Sequence, residues 1–150
     1  MTLLKCLIVD DDELGRELTI QYLEGIACCD TATNGREGLK LFVEALDSDS
    51  RYDLIMLDLI MPEMDGYEAG TLIRNLEKDR GMTSASGVNI IIISSVNTPK
   101  EIINAYMSAQ SAAHLSKPVK PEKLLKTLAT LGLIPERMPL SGESKGGCLE

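Results

Sequence analysis

Residues 3–13 read Leu3-Leu4-Lys5-Cys6-Leu7-Ile8-Val9-Asp10-Asp11-Asp12-Glu13, an apolar run that ends abruptly in four acids. A short, nearly continuous apolar stretch is the pattern of a strand buried on both faces, and the acids mark where it leaves the core for the sheet edge. The pattern returns downstream. Residues 53–59 (DLIMLDL) carry Asp58 near their C-terminal end, and Ile90 to Ile93 are four consecutive isoleucines running into Ser94-Ser95. Residues 26–31 read as a poorer strand, and residues 114–116 as a short one before Lys117-Pro118. Between them, apolar residues keep helical spacing: Leu14, Leu18 and Tyr22; Leu39, Phe42, Val43 and Leu46 after the turn at Asn34-Gly35; Ala69, Leu72, Ile73 and Leu76 after Pro62 and the Asp65-Gly66 turn; Ile102, Ile103 and Tyr106 after Thr98-Pro99; Leu124, Leu125, Leu128 and Leu131 after Pro121. These stripes are read as core. Five strands alternating with five helices predict an α/β fold, a doubly wound parallel sheet whose functional crevice lies at the carboxyl ends of its strands.

A chain of 150 residues is one ordinary domain, able to bury roughly 70% of the surface its unfolded form exposes. Hydrophobic residues at 44% and charged residues at 25% fit neither a disordered polymer nor a membrane protein, and no apolar run approaches the ~20 residues of a membrane span. A net charge of −8 has the wrong sign for direct nucleic-acid binding. The charge is uneven: residues 1–66 carry a balance of −10 and residues 67–150 one of +2. Cys6, Cys28, Cys29 and Cys148 form neither a CxxC pair nor a spaced framework, and the N-terminus is no signal peptide, so the expected setting is reducing and cytoplasmic. The expected organisation is one domain over residues 1–131 and a tail over 132–150 rich in Pro, Gly and Ser, with no output domain.

Asp58 demands an explanation, because an acid ending an apolar strand costs several kcal/mol unless it is solvated, paired or ligated. If the first and third strands are neighbours, Asp10, Asp11 and Asp58 converge. Two carboxylates ~5 Å apart at an effective dielectric of ~20 repel by about 3 kcal/mol, so three call for a cation, and hard oxygen donors favour magnesium. Lys117 brings a fixed positive charge from the fifth strand end, and Ser94 a hydroxyl from the fourth. A carboxylate beside a metal, an ammonium and a hydroxyl is suited to accept a phosphoryl group as an aspartyl phosphate.

Val9-Asp10-Asp11 with Arg16, Leu57-Asp58-Leu59-Ile60-Met61-Pro62 with Asp65-Gly66, Ile93-Ser94-Ser95 and Lys117-Pro118 together resemble the receiver domain of bacterial two-component response regulators. The likeness runs from about Leu3 to Leu131. It implies a flavodoxin-like fold with strand order 2-1-3-4-5, Asp58 as phosphoacceptor, and Mg²⁺ held by Asp11, Asp58 and the backbone carbonyl of Ile60, with Asp10 acting through water. It further implies that Ser94, or Ser95 in its place, is the switch hydroxyl, that Lys117 pairs with a phosphoryl oxygen, and that the Lys117-Pro118 bond is cis. His114 stands where an aromatic usually precedes the final Lys-Pro. The implied partners are a sensor histidine kinase or phosphotransfer protein as donor and a downstream protein binding from Thr98 to Tyr106, with a homodimer as an option and a stand-alone role.

Rival readings fit less well. A phosphatase of the haloacid-dehalogenase type also phosphorylates a strand-end aspartate but needs a second acid two residues on, where this chain has Ile60. No GxxxxGK or GxGxxG suggests a nucleotide site. A degenerate receiver that binds partners without phosphorylation would not need the intact acid set. The four acids at 10–13 could merely favour a helix N-terminus, Cys28-Cys29 reads as small buried filler, and His114 as an ordinary packed or surface residue.

Overall fold

The computed structural model describes residues 3–61, 64–83, 86–95 and 98–135, with only the backbone at 105 and 108. Pro62, residues 84 and 85 of the small-residue loop, residues 96 and 97 after Ser95, and tail residues 136–150 lie outside the described residues. Strands and helices alternate throughout: β1 (Leu4–Val9), α1 (Glu13–Tyr22), β2 (Ala27–Ala32), α2 (Gly35–Asp47), β3 (Leu54–Asp58), α3 (Gly66–Asp79), β4 (Asn89–Ser94), α4 (Pro99–Ala109), β5 (Ala113–Ser116) and α5 (Pro121–Thr130). The strands form one parallel sheet in the order β2-β1-β3-β4-β5, the flavodoxin-like arrangement.

The isoleucine run shows why the central strands are apolar at every position. Ile90 and Ile92 join Leu7, Val9, Ile55 and Leu57 under Phe42 of α2 and Ile73 of α3, whereas Ile91 and Ile93 join Cys6, Ile8, Leu54 and Met56 under Leu124 and Leu128 of α5. Strand side chains alternate between faces, so a strand covered on both sides has no polar position to spare. Each such side chain contributes roughly 1.5–3 kcal/mol on burial.

Two of the helical stripes are not core. Leu14 and Leu18 of α1 are 65% and 37% exposed, and Ile103 and Tyr106 of α4 are 59% and 60% exposed. Periodicity reports that a helix has an apolar face; it does not report whether anything covers that face. The cysteine reading also needs correction, because Cys28 is disulfide-bonded while Cys6 and Cys29 keep free thiols. Cys28 is half-buried on the edge strand β2.

Asn34, read as a turn residue, is the N-cap of α2. Its side chain accepts from the Glu37 backbone N–H at 2.8 Å, while Glu37 accepts from the Thr33 N–H at 2.7 Å. Each acceptor satisfies a donor the helix start would leave unpaired. Asn34→Ala is expected to lower unfolding free energy by about 1 kcal/mol in urea denaturation, with an unchanged slope.

Candidate functional site

Register assembles the site. Val9 pairs with Leu57, Asp58 with Ile93, and Ser94 with Ser116, so Asp10, Asp58, Ser94 and Lys117 meet at one edge of the sheet. One carboxylate oxygen from each of Asp10, Asp11 and Asp58 lies within 4.8 Å of the others; Asp10 and Asp58 are buried and Asp11 is exposed. Lys117 reaches across them, its Nζ donating to Asp58 Oδ2 at 3.0 Å and to Asp10 Oδ1 at 3.1 Å. The Lys117-Pro118 bond is cis.

The backbone at this edge is fixed by its neighbours. Arg16 donates from Nη1 to the Asp10 carbonyl at 2.7 Å, and Asp10 Oδ1 accepts from the Asp12 N–H at 3.0 Å. Asp12, the N-cap of α1, makes no side-chain cap hydrogen bond, and Glu13 lies in the first turn of that helix. Asp65, in contrast, does cap α3, accepting from the Glu68 N–H at 3.0 Å. Gly66 begins that helix against β3: an added Cβ would lie 2.4 Å from the Asp58 carbonyl oxygen, a clash with backbone that only glycine avoids. The sequence signalled Arg16 and Gly66 only through the motif that contains them.

Burial is the main reason Asp58 is pushed up to about 6, with the Asp10 charge adding to the rise and the Lys117 hydrogen bond opposing it. Burial also opposes the Lys117 charge, but its bonds to Asp58 and Asp10 outweigh that and hold it above the ordinary lysine value. One ammonium faces three carboxylates, so the cluster keeps an excess of negative charge and offers only hard oxygen donors. That is the donor chemistry of a magnesium-class site.

The remaining candidates separate by depth. Ser94 is fully buried at the end of β4, whereas Ser95 is exposed. Ile60 donates its N–H to Asp58 Oδ1 at 3.3 Å and leaves its side chain 58% exposed. His114 is half-buried, its Nε2 enclosed without a hydrogen-bond partner among the described residues, and burial lowers its pKa. Beside the acids, a cleft of about 310 Å³ opens between Leu14 and Leu18 of α1 and the Lys117-Pro118-Val119 segment.

The sequence matches the response regulator receiver domain family over residues 6–129. It is 29% identical over 127 residues to the probable C4-dicarboxylate response regulator DctR of Bacillus subtilis, a match covering 83% of this chain and 50% of that protein. It is 30% identical over 131 residues to the two-component response regulator ORR41 of Oryza sativa subsp. japonica, covering 87% and 96% respectively. The chain thus spans half of one relative and nearly all of the other. Among solved structures, Vibrio cholerae chemotaxis protein CheY4 superposes with a TM-score of 0.70 at 28% identity, over 86% of this chain and 98% of that one.

Proposed function

The chain belongs to the response regulator receiver domain family and so to phosphorelay signalling, and from that premise we propose that it accepts a phosphoryl group on Asp58 and signals by phosphorylation-dependent protein binding. The observation that carries this reading is the Asp10–Asp11–Asp58 cluster bridged by Lys117 at the carboxyl ends of β1, β3 and β5.

In the transfer, a carboxylate oxygen of Asp58 forms a bond to phosphorus as the bond from phosphorus to the donor's imidazole nitrogen breaks, leaving the imidazole with its electron pair. Asp58 has to be ionised to attack, and with its pKa at about 6 it is mostly so at neutral pH. Asp11 and Asp58, with the Ile60 carbonyl, would hold Mg²⁺, and Asp10 would do so through water. The ion supplies neutralisation of the incoming phosphoryl oxygens. Lys117 provides the second positive charge, and Ser94, buried at the neighbouring strand end, is the hydroxyl assigned to the phosphoryl group, with Ser95 exposed and outside that role.

The donor is a sensor histidine kinase or phosphotransfer protein, and the downstream partner binds the α4 face from Thr98 to Tyr106, where apolar side chains stand in solvent. No described helix is long and apolar enough to cross a membrane, and a cytoplasmic setting goes with the proposed donor. Ile60, where a dehalogenase-type phosphatase would place its general acid, offers no proton, which favours a switch over a turnover enzyme.

Incubation with acetyl phosphate and Mg²⁺ is expected to add one phosphoryl group by intact-protein mass spectrometry, lost when EDTA is present from the start. Peptide mapping should place it on Asp58. A label on another residue, or none, rejects the assignment.

A further inference from the structure

We propose that α4 is strapped to α3 in the resting protein by Tyr67 and Arg74, and that loosening this strap is part of the work phosphorylation at Asp58 performs; the two side chains are positioning residues of the switch. The inference rests on the phosphoacceptor reading above.

The starting point is how little α4 buries. Among its described side chains only Ala109 is fully buried, while Ile102, Ile103, Tyr106 and Met107 are between 38% and 70% exposed. Apolar burial is slight among those described side chains. Polar contacts that hold α4 come from one stripe of α3. Tyr67, Gly70 and Arg74 follow the spacing that places residues on a single helix face.

Each member of the stripe holds a different part of α4. Tyr67 donates its hydroxyl hydrogen to Glu101 in the first turn of α4. Gly70 lets the helices touch, since an added Cβ there would lie 2.4 Å from the Ala109 Cβ. Arg74 donates from Nε to the Ala109 carbonyl at 2.8 Å and from Nη2 to the Gln110 carbonyl at 3.0 Å, satisfying groups the helix end leaves open. Arg74 is itself locked: Nη1 pairs with buried Glu77 at 2.8 Å, and Glu77 also accepts from the Val88 N–H at 2.7 Å. The start and the end of α4 are both tied to α3 by polar contacts, with little apolar burial among its described side chains.

The strap bears on Asp58 because its two sides start from the site. α3 begins at Gly66, whose N–H donates to the Leu59 carbonyl at 2.9 Å and whose Cα lies against the Asp58 backbone. α4 is entered through Thr98, four residues after Ser94 in the chain, whose hydroxyl caps it by accepting from the Glu101 N–H. A phosphoryl oxygen that draws Ser94 toward Asp58 pulls through the chain on Thr98 and Glu101, while Tyr67 stays with β3. The Tyr67–Glu101 bond resists that displacement. A contact made only in the resting state lowers affinity for any ligand selecting the other state, so breaking it should tighten binding.

The test uses the full chain with beryllofluoride and Mg²⁺, which mimic the phosphoryl group on aspartate. Tyr67→Phe is expected to bind beryllofluoride about three- to tenfold more tightly than wild type in calorimetric titration, the range the net contribution of one ordinary hydrogen bond allows, and to lower the urea midpoint. A purely structural role predicts the lower midpoint without the tighter binding. Glu101→Ala gives the same reading should Tyr67→Phe fail to fold, and the double variant should bind no more tightly than the stronger single one, because both remove the same contact. Unchanged or weaker binding in both single variants, with wild type binding normally, overturns the strap and leaves the phosphoacceptor reading intact. Absence of beryllofluoride binding by wild type overturns that reading, and the strap with it.

Discussion

Replacing Asp58 by asparagine is expected to abolish phosphoryl acceptance and yet stabilise the fold above pH 6. The acceptance falls because an amide is no nucleophile toward phosphorus: labelling by acetyl phosphate should drop by at least about 100-fold, the scale of losing a covalent catalytic group. The stability change has the opposite sign for a reason visible in the burial of the side chain, which is 5% exposed at the end of β3. Desolvation raises its pKa from 3.8 to about 6 although Lys117 opposes the shift. Between those values the native protein binds more protons at Asp58 than the unfolded chain does, so this group's contribution to stability falls as pH rises through the window. Above pH 6 the full cost of the buried charge is present, on the order of 3 kcal/mol at about 1.4 kcal/mol per pKa unit. Asparagine keeps an oxygen for Lys117 to donate to, but Lys117 loses a charged partner, so the net gain expected at pH 8 is about 1–3 kcal/mol. Urea denaturation at pH 5 and pH 8 checks it: the difference between variant and wild type should widen with pH. Parallel stability profiles would reject the desolvation account, and retained labelling would reject the acceptor.

What the sequence made legible were features whose cause is local or periodic. The isoleucines at 90–93 could sit only in a strand covered on both faces, and the acids after Val9 and within residues 53–59 could sit only at its open edge. Strand ends gather by topology, which is why Asp10, Asp11, Asp58 and Lys117 could be grouped before any contact was known. Helix periodicity was a poorer guide to packing. The stripes of α2 and α5 are core, but Leu14 of α1 and Ile103 of α4 carry the same pattern and stand in solvent. An apolar stripe reads the same whether its cover is the domain's own sheet or nothing in this chain. Asp65 read as a turn and proved to be a cap, since turn formation and helix capping draw on the same short side chain. The Tyr67–Glu101 and Arg74–Gln110 contacts join residues 34 and 36 positions apart, and nothing in a window of local sequence links them.

Magnesium is expected to stabilise the protein through the exposed member of the acid cluster, and Asp11→Ala to remove that effect. Three carboxylate oxygens within 4.8 Å repel one another, and Lys117 Nζ is bonded to Asp10 and Asp58. A divalent ion relieves the remaining repulsion only in the folded chain, where the three side chains are assembled. At ten times its dissociation constant it should therefore add about 1.4 kcal/mol to unfolding free energy. Asp11 is the carboxylate to remove because it is exposed: its loss disturbs neither the Lys117 bridge nor the buried strand ends. If losing this ligand weakens the ion about thirtyfold, the same magnesium concentration adds only about 0.2 kcal/mol, a difference thermal melts resolve. The effect should depend on pH in a stated direction. Asp58 titrates at about 6, and an ion that needs its carboxylate competes with its proton. Affinity is expected to be level above pH 7 and to fall toward tenfold per unit below pH 6. An equal stabilisation of wild type and Asp11→Ala would place the ion elsewhere. Affinity independent of pH between 5 and 7 would mean that Asp58 does not take part in holding it.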